Sequence, residues 1–172
     1  MFPVKNSSIY CLHRPAVFFD RDGTLNLDCK YPHKIKDLFL IPGAAKAVRR
    51  FQKAGYYTVI ITNQSGIARG YFNAADLLNF NAELVKLLAA KGAGIDLILH
   101  CPHHPDITGP CACRKPGKGL IKQACAKLPI DLSRSIVIGD RSTDTECAEA
   151  VGIPGYLFKG GNLDEFCRGI SF

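Results

Sequence analysis

Val17–Asn26 reads V-F-F-D-R-D-G-T-L-N. The apolar run Ala16–Phe19 stops at Asp20, and Asp22, Gly23 and Thr24 follow at once. A short apolar run bounded by polar residues and glycine is the pattern of a buried strand. It sets two carboxylates, one residue apart, in the loop past the strand. In an open parallel α/β sheet that loop lies at the carboxyl edge, where ligands bind. One carboxylate can hold a hard cation such as Mg2+, and the other can serve as nucleophile or general acid. Asp and Gly are also ordinary turn residues, so D-x-D-G alone describes a solvated turn as well.

The flanking chain alternates strands and helices. Residues 15–20 form the first strand, and 27–42 an irregular segment. A helix is expected over 43–54, closed by Gly55, and a β-branched strand over 57–62. Asn73 caps a helix reaching about Ala90, with Leu77, Phe80, Leu84 and Leu88 at helical spacing. A third strand covers 95–100, a Cys/His/Pro-rich loop 101–116, and a helix about 117–127. A fourth strand, 135–139, ends in Gly139-Asp140. A helix over 143–150, a short strand over 155–158 and a helical piece near 162–168 complete the order. This alternation predicts a doubly wound, mainly parallel α/β sheet with no large inserted cap domain. Strands one, two and four then end in Asp20 and Asp22, Thr62 and Asn63, and Asp140. The loop after strand three adds Arg114 and Lys115. These clusters are expected to converge on one crevice.

Composition narrows the class. The chain has 172 residues, 47% of them hydrophobic and 22% charged, which suits one domain with a real core. Residues 1–14 are expected as a lead-in and 15–172 as the domain. No apolar run approaches the ~18 residues of a membrane span, and the N-terminus lacks the apolar core of a signal peptide. A cytoplasmic location, no membrane partner and a monomer are the expectations. The net charge of +7 comes from scattered basic residues, with no run of five. It suits a small polyanionic substrate, and without clustered aromatic stacking residues no nucleic-acid partner is expected.

A phosphate is a fitting occupant of the converged site. Thr62, Asn63 and Ser65 offer donors to phosphoryl oxygens, Lys115 a point charge and Arg114 a bidentate grip. Asp20, Asp22 and Asp140 can hold Mg2+, which offsets repulsion between an attacking carboxylate and a phosphate dianion. Asp144, four residues on, is placed to orient the metal's waters or Lys115. Of the eight cysteines, three join a histidine in C-x-H-x7-C-x-C. Cys101, His103, Cys111 and Cys113 are a sufficient tetrahedral set for structural Zn2+, although free thiols in a loop remain the alternative. His104 is out of step with that pattern and reads as a loop residue. Cys11, Cys125, Cys147 and Cys167 read as ordinary thiols.

In order, D-x-D-G-T, T-N-Q-S-G-I-A-R-G (62–70), C-P-H-H-P (101–105), C-x-C-R-K-P (111–116) and G-D-x-x-x-D (139–144) resemble the haloacid dehalogenase (HAD) superfamily of phosphotransferases. Within it the chain is most similar to the D-glycero-D-manno-heptose 1,7-bisphosphate phosphatases and the related histidinol-phosphatases. The resemblance spans about residues 15–158. It implies a Rossmann-like HAD fold and removal of the C7 phosphate of the heptose bisphosphate, a step towards nucleotide-activated heptose for surface polysaccharide. It also implies Asp20 as nucleophile and Asp22 as acid and then base. Thr62 and Lys115 steady the phosphoryl group. Mg2+ is held by Asp20, the Asp22 carbonyl and Asp140, and Zn2+ by Cys101, His103, Cys111 and Cys113. Substrate contacts are implied at Asp28, Cys29, Lys30 and Tyr31, at Asn63, Gln64, Ser65 and Arg69, and at Arg114 and Arg141. Arg141 departs from the lysine commoner in the heptose branch and is nearer the histidinol-phosphatase form. Histidinol-phosphatase is therefore the alternative substrate reading. A long-lived phospho-receiver or zinc-stabilised binding module is the alternative outside enzymes. Asp22 separates the two, because a receiver needs no acid beside its nucleophile.

Overall fold

The computed structural model describes residues 13–171. The expected lead-in therefore lies outside the described residues except for His13 and Arg14, as does Cys11. Five strands, β1 (Ala16–Phe19), β2 (Tyr57–Asn63), β3 (Leu97–Cys101), β4 (Ile136–Gly139) and β5 (Gly155–Leu157), form one sheet in the order β3-β2-β1-β4-β5. Every pairing is parallel.

Side chains alternate across a strand, so β1 serves two cores at once. Val17 and Phe19 pack with α1 (Ala44–Lys53), α2 (Ala74–Ala89) and α6 (Leu163–Arg168), through Val48, Phe51, Phe80, Leu84 and Leu163. Ala16 and Phe18 pack on the other face against Leu120, Ile121 and Ala124 of α4 (Gly119–Lys127) and Cys147 of α5 (Ser142–Glu149). A strand buried on both faces reads as a continuous apolar run, which is why its end at Asp20 is abrupt. At the start of α2, the Asp76 backbone N–H donates to Asn73 Oδ1 (3.0 Å) and the Asn73 N–H to Asp76 Oδ2 (2.9 Å). Such a reciprocal cap contributes about 1 kcal/mol. Among the described residues no helix is long and apolar enough to cross a membrane.

The expected elements are present, with local shifts. β3 starts at Leu97, two residues late, because Asp96 Oδ2 accepts the Thr58 N–H (2.7 Å) and hydroxyl (2.9 Å) in place of regular strand pairing. α4 starts at Gly119 because turns from Gly117 to Arg114 O (2.7 Å) and from Gly119 to Ala112 O (3.0 Å) occupy its expected first residues. The loop 101–116 is less irregular than its composition implies. Cys101 closes β3, and Pro105–Thr108 make a single helical turn, α3, capped by His104.

β1 and β4 are neighbours, but the chain leaves β1 towards β2 and β3 on one side and leaves β4 towards β5 on the other. The crevice beyond their carboxyl ends is a topological switch point, the place where such sheets bind ligands.

Candidate active site

Asp20 stands just past β1, and its backbone N–H still donates to Ile138 O of β4 (2.9 Å). Its carboxylate Oδ1 meets Lys115 Nζ at 2.5 Å. The same ammonium lies 2.6 Å from Asp144 Oδ1 and donates to Ile61 O at 2.7 Å. Lys115 is thus a buried cation strung between β1, β2 and α5. Two bonds to Asn63 fix its backbone: Lys115 N–H donates to Asn63 Oδ1, and Asn63 Nδ2 to Lys115 O, both 3.0 Å. The amide of Asn63 therefore shapes the Lys115 loop as well as lining the cleft.

Asp20, Asp140 and Asp144 offer carboxylate oxygens within 4.8 Å of one another. Asp140 Oδ1 is buried without a hydrogen-bond partner among the described residues. Gly23, at φ +82°, leaves the room for this: a Cβ there would sit 2.3 Å from Asp140 Oδ2. Oxygen ligands with an unpaired buried lone pair are what a hard divalent cation takes. The electrostatics agree. Burial pushes the Asp20 carboxyl above the ordinary carboxylate range, against the pull of Lys115, and Asp144 and Asp22 push it further. Asp140 is raised by burial and then by Asp144, with Arg141 opposing. Burial alone would lower Lys115, but Asp20 and Asp144 outweigh it and hold its ammonium protonated. A cation among these carboxylates would reverse their upward shifts.

Asp22 faces the same cleft, with both carboxylate oxygens engaged. Oδ1 accepts from Arg21 Nε (2.8 Å) and Asn26 Nδ2 (2.9 Å), and Oδ2 from an Arg21 terminal nitrogen (2.9 Å) and Gln64 Nε2 (2.8 Å). Gln64 Nε2 also donates to Thr62 Oγ1 (2.9 Å), so the β2 loop and the Asp22 turn form one network. The cleft, about 490 Å3, is lined by Asp20, Asp22, Asp28, Lys30, Tyr31, Thr62, Asn63, Gln64, Ser65, Arg69, Arg114, Lys115 and Arg141 among the expected residues. Arg141 bridges its mouth to Asp28 Oδ2 at 2.8 Å.

Among the expected substrate contacts Cys29 is the exception: it is exposed, absent from the lining, and points its Sγ towards Asp37 O at 3.7 Å. The turn explains this, since Lys30 and Tyr31 both take left-handed backbone, φ 60° and 61°. Two residues have roles here that the sequence did not assign. His104, read from the sequence as a loop residue, lines the cleft and accepts from Arg69 at 2.7 Å through Nε2. Arg21 is fully buried behind Asp22. Its signal lay elsewhere in the chain: Asn81 falls on the apolar face of α2 with Leu77 and Leu84, and a polar residue there needs a partner.

The second cluster is local. Cys101, His103, Cys111 and Cys113 bring ligand atoms within 4.8 Å of one another, a set that could bind a metal ion. Burial opposes ionisation of the Cys111 thiol, yet the Arg114 backbone N–H and the neighbouring thiols hold it down at about 7. The cluster abuts the carboxylate site in sequence, because Arg114 and Lys115 follow Cys113 directly.

A parallel sheet with an Asp-x-Asp turn, a buried lysine and a further carboxylate pair at its switch point defines a HAD-type phosphoric monoester hydrolase. The HAD-hydrolase-like family model matches residues 112–165. The D-glycero-beta-D-manno-heptose-1,7-bisphosphate 7-phosphatase of Rhodopseudomonas palustris is 43% identical over 90% of this chain and 89% of its own. That of Photorhabdus laumondii is 44% identical over 78% of this chain and 74% of its own. A crystal structure of D,D-heptose 1,7-bisphosphate phosphatase from B. bronchiseptica, complexed with magnesium and phosphate, superposes with a TM-score of 0.78. It is 32% identical and covers 90% of this chain and 87% of that one. The chain belongs to the D-glycero-D-manno-heptose-1,7-bisphosphate 7-phosphatase family of the HAD superfamily.

Proposed function

We infer that this protein is a Mg2+-dependent phosphatase that hydrolyses the C7 phosphate of D-glycero-D-manno-heptose 1,7-bisphosphate through an aspartyl-phosphate on Asp20. The observation that carries the reading is the buried Lys115 ammonium joining Asp20 and Asp144 at the switch point. Asp20 Oδ attacks phosphorus and the bond to the C7 oxygen breaks. Asp22 gives a proton to that leaving alkoxide. It then takes one from the water that attacks the phosphoryl-aspartate, which releases inorganic phosphate and restores Asp20. Thr62 and Lys115 hold the phosphoryl oxygens as charge shifts among them. Mg2+ would be held by Asp20, the Asp22 carbonyl and Asp140, and when bound it neutralises the phosphate and carboxylate charges brought together.

Asp28, Lys30, Tyr31, Gln64, Ser65, Arg69, Arg114 and Arg141 are the proposed substrate contacts. Arg141 keeps a cation at the mouth where the heptose branch more often has lysine, and its pairing with Asp28 ties it to the substrate segment. The thiol cluster is read as a structural Zn2+ site. Its S···S separations of 3.2, 3.5 and 3.6 Å approach the ~3.7 Å edge of a tetrahedron with Zn–S of about 2.3 Å. Four protein ligands leave no position for water, so the metal would anchor the loop that presents Arg114 and Lys115. Residues 15–172 are taken as one catalytic unit carrying that loop.

Phosphate release with Mg2+, compared between heptose 1,7-bisphosphate and histidinol phosphate, tests the reading. A heptose preference of ~100-fold in kcat/KM, about 2.7 kcal/mol of transition-state discrimination, is expected. The reverse preference would replace the substrate, and a stable phospho-Asp20 without turnover would replace the hydrolase reading.

A further inference from the structure

Arg21 stands between the two carboxylates of the Asp-x-Asp turn and is fully buried. A buried guanidinium is costly unless its N–H groups are matched. Four of its five are: Nε and a terminal N–H on the two oxygens of Asp22, another on Pro32 O at 3.0 Å, and NH1 on Asn81 Oδ1 at 2.9 Å. The plane lies over the Phe80 ring, 4.6 Å from its centroid. Pro32 follows the left-handed Lys30–Tyr31 turn, and Tyr31 packs edge-on against Tyr71 at 5.0 Å. Asn81, itself buried, comes from the apolar face of α2, sixty residues away in sequence.

An ionised carboxylate has about four lone-pair sites, and Asp22 has four donors on them. Two are single neutral amides, Asn26 and Gln64, each with a second acceptor, Leu27 O for Asn26 and Thr62 Oγ1 for Gln64. The other two belong to one rigid fork held on its far side by a helix. An acid that protonates a leaving oxygen must free one lone pair while keeping its direction. The arm meets both needs, because Arg21 holds the carboxylate plane while an amide yields.

We propose that Arg21 and Asn81 form a buried positioning arm that sets the Asp22 carboxylate against the leaving oxygen. The proposal rests on the reading of Asp22 as acid. Neither arm residue lines the cleft, so their effect is on the chemical step and not on substrate affinity.

The test compares two substrates in single turnovers with Mg2+. Heptose 1,7-bisphosphate leaves as an alkoxide that needs a proton, and p-nitrophenyl phosphate leaves as a stable phenolate that does not. Arg21→Lys keeps the charge and loses the fork. Asn81→Leu removes the acceptor, and Asn81→Asp keeps an oxygen at the same reach. First-turnover rates on the heptose are expected to fall ~100-fold in Arg21→Lys and ~10-fold in Asn81→Leu, with KM within ~2-fold of the parent. Nitrophenolate release should stay within ~3-fold, which also reports that the variants are folded. Asn81→Asp should recover most of the heptose rate. Equal proportional losses on both substrates, or equal defects in Asn81→Leu and Asn81→Asp, would overturn the arm. Asp22→Asn separates the two levels. If it shows the substrate split and the arm variants do not, the arm alone fails. If Asp22→Asn shows no split, the acid reading fails and takes the arm with it.

Discussion

The two metal-capable clusters are built in opposite ways. The carboxylate cluster collects Asp20, Asp140 and Asp144 from the ends of β1 and β4 and the start of α5. The thiol cluster draws its four residues from one stretch, 101–113. The first contains a built-in cation, Lys115, and opens on a cleft; the second gathers its four side chains within one loop. They meet at Cys113-Arg114-Lys115, where the end of one is the start of the other. A site that must exchange substrate is distributed over rigid strand ends, while the loop anchor proposed for the thiols can be local.

Removing the nucleophile is the largest way to break the comparison. Asp20→Asn should abolish phosphate release, by ~10^4-fold or more, while the thiol cluster keeps its metal content. Retained turnover would remove Asp20 from the chemistry. Cys111→Ser attacks the other side. Zinc content should fall with activity, by about 10–100-fold, because the loop presenting Arg114 and Lys115 loses its anchor. A zinc-free variant with full activity would show the clusters to be independent.

The smallest effect sharpens the contrast from a third region. Asp164 on α6 is partly desolvated, which raises its carboxyl, but bonds from Arg50 and Arg168 outweigh this and hold it below its ordinary value near 3.8. A carboxyl lowered by folding stabilises fully above its unfolded pKa and loses that stability as pH falls through the folded one. Asp164→Asn should therefore lower Tm at neutral pH and converge on the parent in acid. With both arginines part-exposed, the difference should be about 1 kcal/mol or less. Thermal melts across pH 2–7, with kcat unchanged, check it; a gap that widens in acid would contradict the ion-pair account.

How much was legible follows the same division. Cys101, His103, Cys111 and Cys113 could be read together because three thiols and an imidazole stand at ligand-like spacing within one short stretch. The Asp20–Asp22 turn was legible because a strand buried on both faces must end sharply. Asp140 and Lys115 were placed at the same edge by the alternation of strands and helices. Cys29 stands apart from the cleft lining, beside two successive left-handed residues, Lys30 and Tyr31, which composition does not announce. Arg21 and Asn81 escaped notice since each looks unremarkable until the other is beside it.

By itself, then, the sequence determined the element order, the apolar faces and the chemistry available at each strand end, all of which depend on neighbours a few residues apart. Only the tertiary structure decided that β1 and β4 lie side by side. It also decided that Lys115 reaches both Asp20 and Asp144, and that a buried arginine links Asp22 to α2. Strand order and the partners of buried charges depend on how separate segments share one core, and no local spacing encodes that.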